Sequence, residues 1–284
     1  MVVSMKIKKV LNNNAVTVID ENNKEIVVMG LGIAFQKKAG EELEEEKIER
    51  IFTLHNKEVS EKLKNLISEI PVKYVEVCEE IKKYAEDKLD KKLNENIYLT
   101  LTDHISFALT RHKQGLDLKN PMVWEIKRFY RQEYSIGLKS LEIIKEKLDV
   151  DLLEDEAASI ALHIVNAQLN EEMPNVVNIT NIIQEILNII KYHFKIDFDE
   201  DSLIYHRLIT HLKFFAQRIL NDKLARSDDD DLYFIVKKKY PEPYECSEKI
   251  KVYIEKNFSF KLTYEEMTYL IIHIQRITNR NNNK

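Results

Sequence analysis

The chain is predicted to be a multidomain protein in which a small antiparallel β domain precedes two homologous all-α helical-bundle domains. Short β-branched segments separated by asparagine-rich turns occupy residues 1–40, and helical periodicity begins near residue 60. Motifs of the helical part recur farther along the chain at a nearly constant offset, which indicates a duplicated domain. We place the domains at residues 1–56, 57–170 and 171–284.

The composition is typical of a folded cytoplasmic protein. Apolar residues make up 44% of the 284 residues and charged residues 32%, while only five glycines and five prolines favour long helices. No apolar run approaches the roughly 18–20 residues that span a bilayer, and "MVVSMKIKKV" is too short and too alternating for a signal peptide. We therefore expect no membrane insertion, and we expect Cys78 and Cys246 to stay reduced.

The N-terminal segment predicts about four strands, in "MKIKKVL", "AVTVID", "KEIVVMG" and "GIAFQ". The turns between them are "NNN" and "ENNKE", since asparagine tolerates the left-handed backbone that tight turns need. So small a sheet is marginally stable alone, so we expect a homodimer. The net charge of −5 argues against bulk binding of nucleic acid. It still allows a local basic surface in this segment, because residues 1–40 contain six lysines and only three acidic residues.

Four histidines occupy apolar helical segments of the duplicated part. "LTDHISFAL" around His104 corresponds to "LITHLKFFA" around His211, at an offset of 107. "LLEDEAASIALHI" around His163 corresponds to "LTYEEMTYLIIHI" around His273, at an offset of 110. Two histidine positions are thus kept in each copy while many neighbouring residues differ.

Three interpretations of these histidines remain open. A lone histidine on an apolar helix face is most often a hydrogen-bonded core residue. Metal binding is disfavoured, because no HxxxH, HxxEH or CxxC motif accompanies the histidines, so we predict no metal ligands and no cofactor. The third interpretation is phosphorylation, since a neutral imidazole nitrogen is a good nucleophile near pH 7 and a phosphoryl group adds about −1.5 to −2 charge. Asp103, Glu156 and Glu266 are candidates to orient the rings.

Motifs for enzymatic catalysis are lacking in the sequence. It contains no GxSxG, no GxxxxGK[ST], no GxGxxG and no zinc signature, so we predict that the protein is not an enzyme.

Residues 5–278 resemble the transcriptional antiterminators of the BglG/SacY/LicT family, and most of all the LicT type. The resemblance lies in "KIKKVLNNNAVTVIDENNKEIVVMGLGIAFQKKAGEEL", "LTDHISFAL", "DEAASIALHIVNAQLNEEMPN", "YHFKI" and "THLKFFAQR". It implies an N-terminal co-antiterminator RNA-binding domain that acts as a dimer on a hairpin in leader mRNA and prevents an overlapping terminator from forming. The operon it implies is one for sugar utilisation, with a β-glucoside as the expected sugar.

The resemblance also assigns the helical domains as regulation domains of the phosphoenolpyruvate:sugar phosphotransferase system (PTS). In the family, the sugar-specific PTS permease (enzyme II) directs phosphorylation of the first domain when sugar is absent, which inactivates the protein. In the LicT type, the phosphocarrier HPr phosphorylates the second domain and favours a closed, active dimer. The implied phosphorylation sites are His104, His163, His211 and His273.

For RNA contact, the family motif corresponds to Lys9, Asn14, Gly30 and Phe35. Lysine neutralises phosphate, asparagine reads a base edge, glycine permits close backbone approach, and an exposed phenylalanine stacks on an unpaired base. The alternative for Phe35 is packing in the small core or dimer seam, and for Asn14 a place in a hairpin turn. Leu31 departs from the pattern, since members often carry a basic residue there, and we expect weaker RNA binding for that reason.

Two rival functions remain at this point. The first is a DNA-binding transcriptional activator with the same regulation domains, which needs a helix-turn-helix where the N-terminal sequence predicts strands. The second is a metal-responsive helical protein with no nucleic-acid role.

Overall fold

The structure is a computed structural model that describes residues 5–20, 25–52, 57–171, 173–222 and 231–279. It divides into two compact units, Met1–Glu171 and Glu172–Lys284. The first unit holds the sheet and six helices of its described part, and the second holds five helices of its own. The predicted boundary near residue 56 falls just before the first helix, and the boundaries as a set remain predictions.

The described part of the N-terminal segment forms an antiparallel sheet in the order β1-β2-β3-β4. The strands are β1 Ile7–Asn12, β2 Ala15–Ile19, β3 Glu25–Met29 and β4 Arg50–Phe52, with a short 3₁₀ turn at Glu45–Lys47 before β4. Val16 pairs with Val28 and Val18 with Ile26, which puts their side chains on one face of the sheet. The turn predicted at residues 21–24 lies outside the described residues.

The predicted strand "GIAFQ" is wrong, because these residues form consecutive turns and β4 takes the fourth place in the sheet. Backbone bonds of the turn type link Ile33 N–H to the Gly30 carbonyl at 3.2 Å and Phe35 N–H to the Gly32 carbonyl at 3.1 Å. Gly32 has φ +66°, a left-handed conformation that interrupts a strand. Ile33 and its neighbour Ala34 are both buried, which the two-residue alternation of a strand does not allow.

Each face of the sheet has its own apolar core. One face packs against the turns and the segment that follows β3, and this cluster contains Ile7, Val16, Val18, Ile26, Val28, Ile33, Ala34 and Leu43. The opposite face packs against helix α1 (Lys57–Glu69) through the fully buried Leu63 and Ile67. The sheet is therefore covered on both faces within this unit, at the residues that the structure describes.

Polar contacts fix α1 on the sheet. Lys64 is only 4% exposed, and its Nζ lies 2.9 Å from Glu25 Oε1 and 2.8 Å from Glu61 Oε1. Burial raises the pKa of Glu25, but hydrogen bonds from Lys8 and Lys64 outweigh this effect and lower the pKa to about 2. Asn12 Nδ2 also donates to the Ile67 carbonyl at 2.6 Å.

The helical part of the first unit continues with five helices that follow the predicted periodicity. They are α2 Val72–Leu89, α3 Asn96–Lys113, α4 Val123–Phe129, α5 Arg131–Leu148 and α6 Asp155–Leu169. Their core is aliphatic and includes Ile81, Ile97, Leu101, Ile105 and Ile164, each at most 1% exposed. In this core, α5 packs on α6 and α3 packs on both α2 and α6.

The second unit repeats this arrangement. Its helices are α7 Met173–Phe194, α8 Leu203–Leu220, α9 Asp231–Lys239, α10 Pro241–Phe258 and α11 Tyr264–Asn279. Left-handed residues next to helix ends recur at offsets of 105, 107 and 110, in the pairs Asp90 and Lys195, Gly115 and Asp222, and Asp149 and Ser259. The duplication inferred from the sequence is therefore also present in the backbone.

No helix in the described ranges is both long enough and apolar enough to cross a membrane. Cys78 and Cys246 are each buried and free, and burial raises the pKa of both thiols to about 12.

Gly137 lies where α5 comes close to the backbone of α6, and it supplies a test of the packing. A Cβ added there would lie 2.1 Å from the carbonyl oxygen of Ala157 on α6. We predict that Gly137→Ala lowers the free energy of unfolding by about 1–3 kcal/mol, because a backbone atom cannot move aside as a flexible side chain does. Urea unfolding measures the change. Ser135→Ala, at an exposed position of the same helix, is the control, and equal urea midpoints for the two variants would contradict the prediction.

Candidate functional sites

The structure brings the duplicated histidines together as two pairs. His104 on α3 and His163 on α6 have ring centroids 4.8 Å apart, with ring planes tilted by 42°. His211 on α8 and His273 on α11 have centroids 4.1 Å apart, tilted by 43°. Each pair forms because α3 packs on α6 in one unit and α8 packs on α11 in the other. The same histidine–histidine contact is thus built twice.

In the first unit, the Glu156 carboxylate joins His104 to Arg111. Glu156 Oε2 lies 2.9 Å from His104 Nε2, and Oε1 lies 3.0 Å from Arg111 Nη2. The ring N–H of His104 does not point along a linear hydrogen bond to Oε2, so this contact is electrostatic rather than a well-aligned bond. Burial raises the pKa of Glu156, but His104 and Arg111 outweigh burial and keep the pKa below its usual value. Glu156 is therefore ionised although it is only 6% exposed.

His163 has no such partner. Its Nδ1 is enclosed and accepts or donates no hydrogen bond among the described residues. Burial lowers the pKa of His163 well below the usual value, and the nearby His104 ring lowers it further. The His163 ring is therefore neutral at physiological pH.

The second site has the same residue types in a different arrangement. Glu266 is 1% exposed, and its Oε1 lies 3.4 Å from Arg218 Nε while Oε2 accepts from the Thr263 N–H at 3.3 Å. Within the described ranges, no carboxylate lies within ion-pair distance of His211 or His273. Burial raises the pKa of Glu266, an effect that Thr263 and Arg218 offset only in part.

An aromatic ring and two arginines surround the second pair instead. Tyr269 contacts both rings, with centroid distances of 5.1 Å to His211 and 5.1 Å to His273. Burial lowers the pKa of His211, and Arg276 and Arg218 lower it further. Burial, His211 and Arg276 together lower the pKa of His273 to about 4. The pair lines a small pocket that opens to solvent. Its lining also includes Arg218, Glu266 and Tyr269.

Sequence reasoning missed four of these neighbours: Arg111, Arg218, Tyr269 and Arg276. Arg111 and Arg218 are related by the same offset as His104 and His211, so the repeat itself held the signal. Tyr269 and Arg276 had no such signal, because the equivalent positions in the first copy are Ser159 and Asn166. Among the described residues, no group of three or more His, Cys, Asp or Glu side chains is placed to hold a metal ion.

The predicted RNA-contact residues lie on and beside the sheet. Lys9 is exposed on β1, and Phe35 is 60% exposed in the turns after β3. Asn14 and Gly30 also have structural roles, since Gly30 N–H donates to the Asn14 carbonyl at 3.0 Å and Asn14 Oδ1 accepts from Gly32 N–H at 2.7 Å. A Cβ at Gly30 would lie 1.7 Å from the Lys47 carbonyl oxygen. The backbone that comes close to this glycine is therefore another segment of the same chain. These hydrogen bonds join the β1–β2 turn to the segment that carries Phe35.

Comparison with known proteins decides the family. The CAT RNA binding domain family matches residues 5–61, and the PRD domain family matches residues 79–167 and 184–277. The chain belongs to the antiterminators with a CAT domain and two PRD domains. It is a transcriptional antiterminator with an RNA-binding domain and two PTS regulation domains, and its relatives are antiterminators rather than enzymes. The predicted fold class and function are confirmed at this level.

Three relatives span nearly the whole chain. The transcription antiterminator LicT of Bacillus subtilis is 56% identical over 273 residues, which is 96% of this chain and 99% of LicT. The β-glucoside operon antiterminator of Dickeya chrysanthemi is 47% identical and covers 96% of each chain. Protein GlcT of Staphylococcus aureus is 31% identical over 97% of this chain and 98% of GlcT.

Two solved structures are also similar. The crystal structure of GlcT CAT-PRDI is 35% identical, covers 58% of this chain and 98% of that chain, and has a TM-score of 0.49. The structure of the LicT antiterminator protein in complex with its RNA target is 57% identical, covers 19% of this chain and 98% of that chain, and has a TM-score of 0.18.

His273 supplies a test of the electrostatics of the second site. Its pKa of about 4 lies below the ordinary 6.5, so between these values the unfolded chain binds a proton that the folded chain does not. This histidine therefore stabilises the fold above pH 6.5, and its contribution is lost as the pH falls from 6.5 through 4. We predict that the His273 ring signals in NMR titrate near pH 4, and His273→Gln assigns them. Titration near pH 6.5 would contradict the prediction.

Proposed function

We propose that this antiterminator binds, as a cytoplasmic homodimer, a hairpin in the leader mRNA of a sugar-utilisation operon and thereby prevents terminator formation. The sugar we propose is a β-glucoside, on the ground that one relative is named as a β-glucoside operon antiterminator. PTS-dependent phosphorylation of His104, His163, His211 and His273 sets its activity. The observation that carries this proposal is the pair of histidine contacts, repeated in two PRD domains.

The RNA surface combines charge with an aromatic platform. Lys9 is exposed and can neutralise a phosphate, and the exposed Phe35 offers a ring face to an unpaired base. Leu31 is 77% exposed in the same turn segment, which supports a place for it beside the RNA. Asn14 uses Oδ1 within the protein, so its amide Nδ2 is the group we assign to a base edge.

Substitutions on this surface test the RNA interface in the full-length protein. We predict that Phe35→Ala weakens binding to a leader hairpin by about 1–3 kcal/mol through lost stacking. Lys9→Ala should lower the salt dependence by about one phosphate contact, and Leu31→Lys should raise it by about one. Gel shifts across a salt series measure these changes.

The control for Phe35→Ala is Phe234→Ala, since Phe234 is 55% exposed on α9. Equal loss of RNA affinity in both variants would contradict a specific role for Phe35. Absence of hairpin binding by the folded wild-type protein at low salt would contradict the proposed RNA target.

The chemistry of the sites suits phosphoryl transfer between histidines. The lowered pKa values of His163, His211 and His273 keep their rings neutral, so one nitrogen of each has a free electron pair. That pair forms the new P–N bond while the donor's P–N bond breaks and its electrons stay on the donor nitrogen. Each ring keeps the proton on its other nitrogen, so no net proton is gained or lost.

Phosphorylation acts on the dimer as a shift between two states. We infer that phosphoryl groups at His211 and His273, transferred from HPr, favour the compact active dimer. Those at His104 and His163, directed by the sugar-specific permease, oppose it. A bias of about 5.5 kcal/mol suffices to change a 1:99 ratio of two states into 99:1.

Reconstitution of the phosphorelay tests the site assignment. Incubation of the wild-type protein with phosphoenolpyruvate, enzyme I and HPr should place phosphoryl groups on His211 or His273, as read by mass spectrometry under non-acidic conditions. The double variant His211→Ala, His273→Ala should take up little of this label. Label at the wild-type level in the double variant would show that HPr acts elsewhere.

A further inference from the structure

The two histidine sites differ in one contact, although their residue types are duplicated. Glu156 and Glu266 are related by the same offset as His163 and His273. Glu156 nevertheless contacts the ring of His104 at 2.9 Å, across the packed helices α3 and α6. Glu266 instead contacts Arg218 and the backbone of Thr263. Only the first site, among the described residues, thus places a carboxylate against an imidazole of the pair.

The charge on Glu156 acts on one particular nitrogen of His104. Nε2 is enclosed beside an ionised carboxylate, and a neutral imidazole next to such a charge keeps its proton on the nearer nitrogen. The side chain of His104 retains 17% of its surface exposed, so Nδ1 is the nitrogen left with an electron pair for an incoming group. Arg111 fixes the other carboxylate oxygen at 3.0 Å and so sets the direction from which Glu156 approaches the ring.

We propose that Glu156, held by Arg111, is a positioning residue for the phosphorylation of His104 and makes Nδ1 the accepting nitrogen of that ring. This inference rests on the proposed function, since it concerns the histidine phosphorylation assigned there. Glu156 acts through His104 and does not itself touch the phosphoryl group.

The chemical reason is the positive charge that develops on the accepting ring. As Nδ1 forms the P–N bond, the proton on Nε2 remains and the ring becomes a phosphoimidazolium. A carboxylate 2.9 Å from Nε2 stabilises this cation through the attraction of opposite charges.

The test removes the charge of Glu156 with little change in shape. Full-length wild-type protein and Glu156→Gln are treated with phosphoramidate, a small donor that needs no protein partner, and the labelling rate of each histidine is measured by mass spectrometry. We expect the rate at His104 to fall about 10- to 100-fold in the variant, comparable to the loss of other supporting carboxylates. The matched control is Glu154→Gln, which removes an exposed carboxylate two residues away that contacts Lys127 and Tyr134 instead. In this control variant, phosphoramidate should label His104 at the wild-type rate.

Two spectroscopic measurements separate positioning from a merely structural role, and both work on the wild type even if the variant folds poorly. Nitrogen-15 shifts of the unphosphorylated protein should place the proton of His104 on Nε2, and phosphorus-31 shifts should place the phosphoryl group on Nδ1. A phosphoryl group on Nε2 of His104, or an unchanged His104 rate in a folded Glu156→Gln, would overturn the inference. Failure of the phosphoenolpyruvate-driven relay to label any wild-type histidine would instead contradict the proposed function.

Discussion

The packing of one histidine-bearing helix on another is the constraint on which both sites depend. α3 on α6 and α8 on α11 each bring two imidazoles into ring contact, with centroids 4.8 Å and 4.1 Å apart, at the edge of an aliphatic core. Two cations cannot share such a place, since burial and mutual repulsion both act against the charged form. The fold therefore keeps His163, His211 and His273 neutral near pH 7, and a neutral ring is the form that accepts a phosphoryl group.

Both copies have this helix packing, but the charged groups around the histidines differ between them. Glu156 and Glu266 occupy equivalent positions and are both nearly inaccessible, yet the pKa is lowered for Glu156 and raised for Glu266. The difference follows from their neighbours, because His104 and Arg111 share the first carboxylate at 2.9 Å and 3.0 Å while Arg218 lies 3.4 Å from the second. Equivalent residues thus have different charged neighbours in the two sites, and the outcomes proposed for phosphorylation of the two PRD domains are opposite.

Periodicity and repetition carried most of the prediction of the fold, since the helices and the duplication follow from spacing along the chain. The ring contact between the two histidines of each copy was not predicted from spacing. Spacing could not predict the contact between Glu156 and His104. Within α6, Glu156 and His163 lie two helical turns apart, and the partner of Glu156 lies on α3, where only the crossing of the two helices sets the distance. The error at "GIAFQ" has a similar cause, because Ile33 and Ala34 look like strand residues until the hydrogen bonds of the turn are known.

Helix α1 connects the helix that bears His104 to the sheet of the RNA-binding domain. It contacts both β1 and α3, the helix that bears His104, and its Leu63 and Ile67 fill the core on one face of the sheet. Lys64 is nearly inaccessible and forms an ion pair with the partly exposed Glu25, and separating the pair would leave the lysine charge poorly solvated. A movement of α3 therefore acts on a helix that cannot leave the sheet without breaking both apolar packing and this ion pair. The first PRD domain and the sheet are thus coupled through packing within one compact unit, whereas the second PRD domain forms a unit of its own.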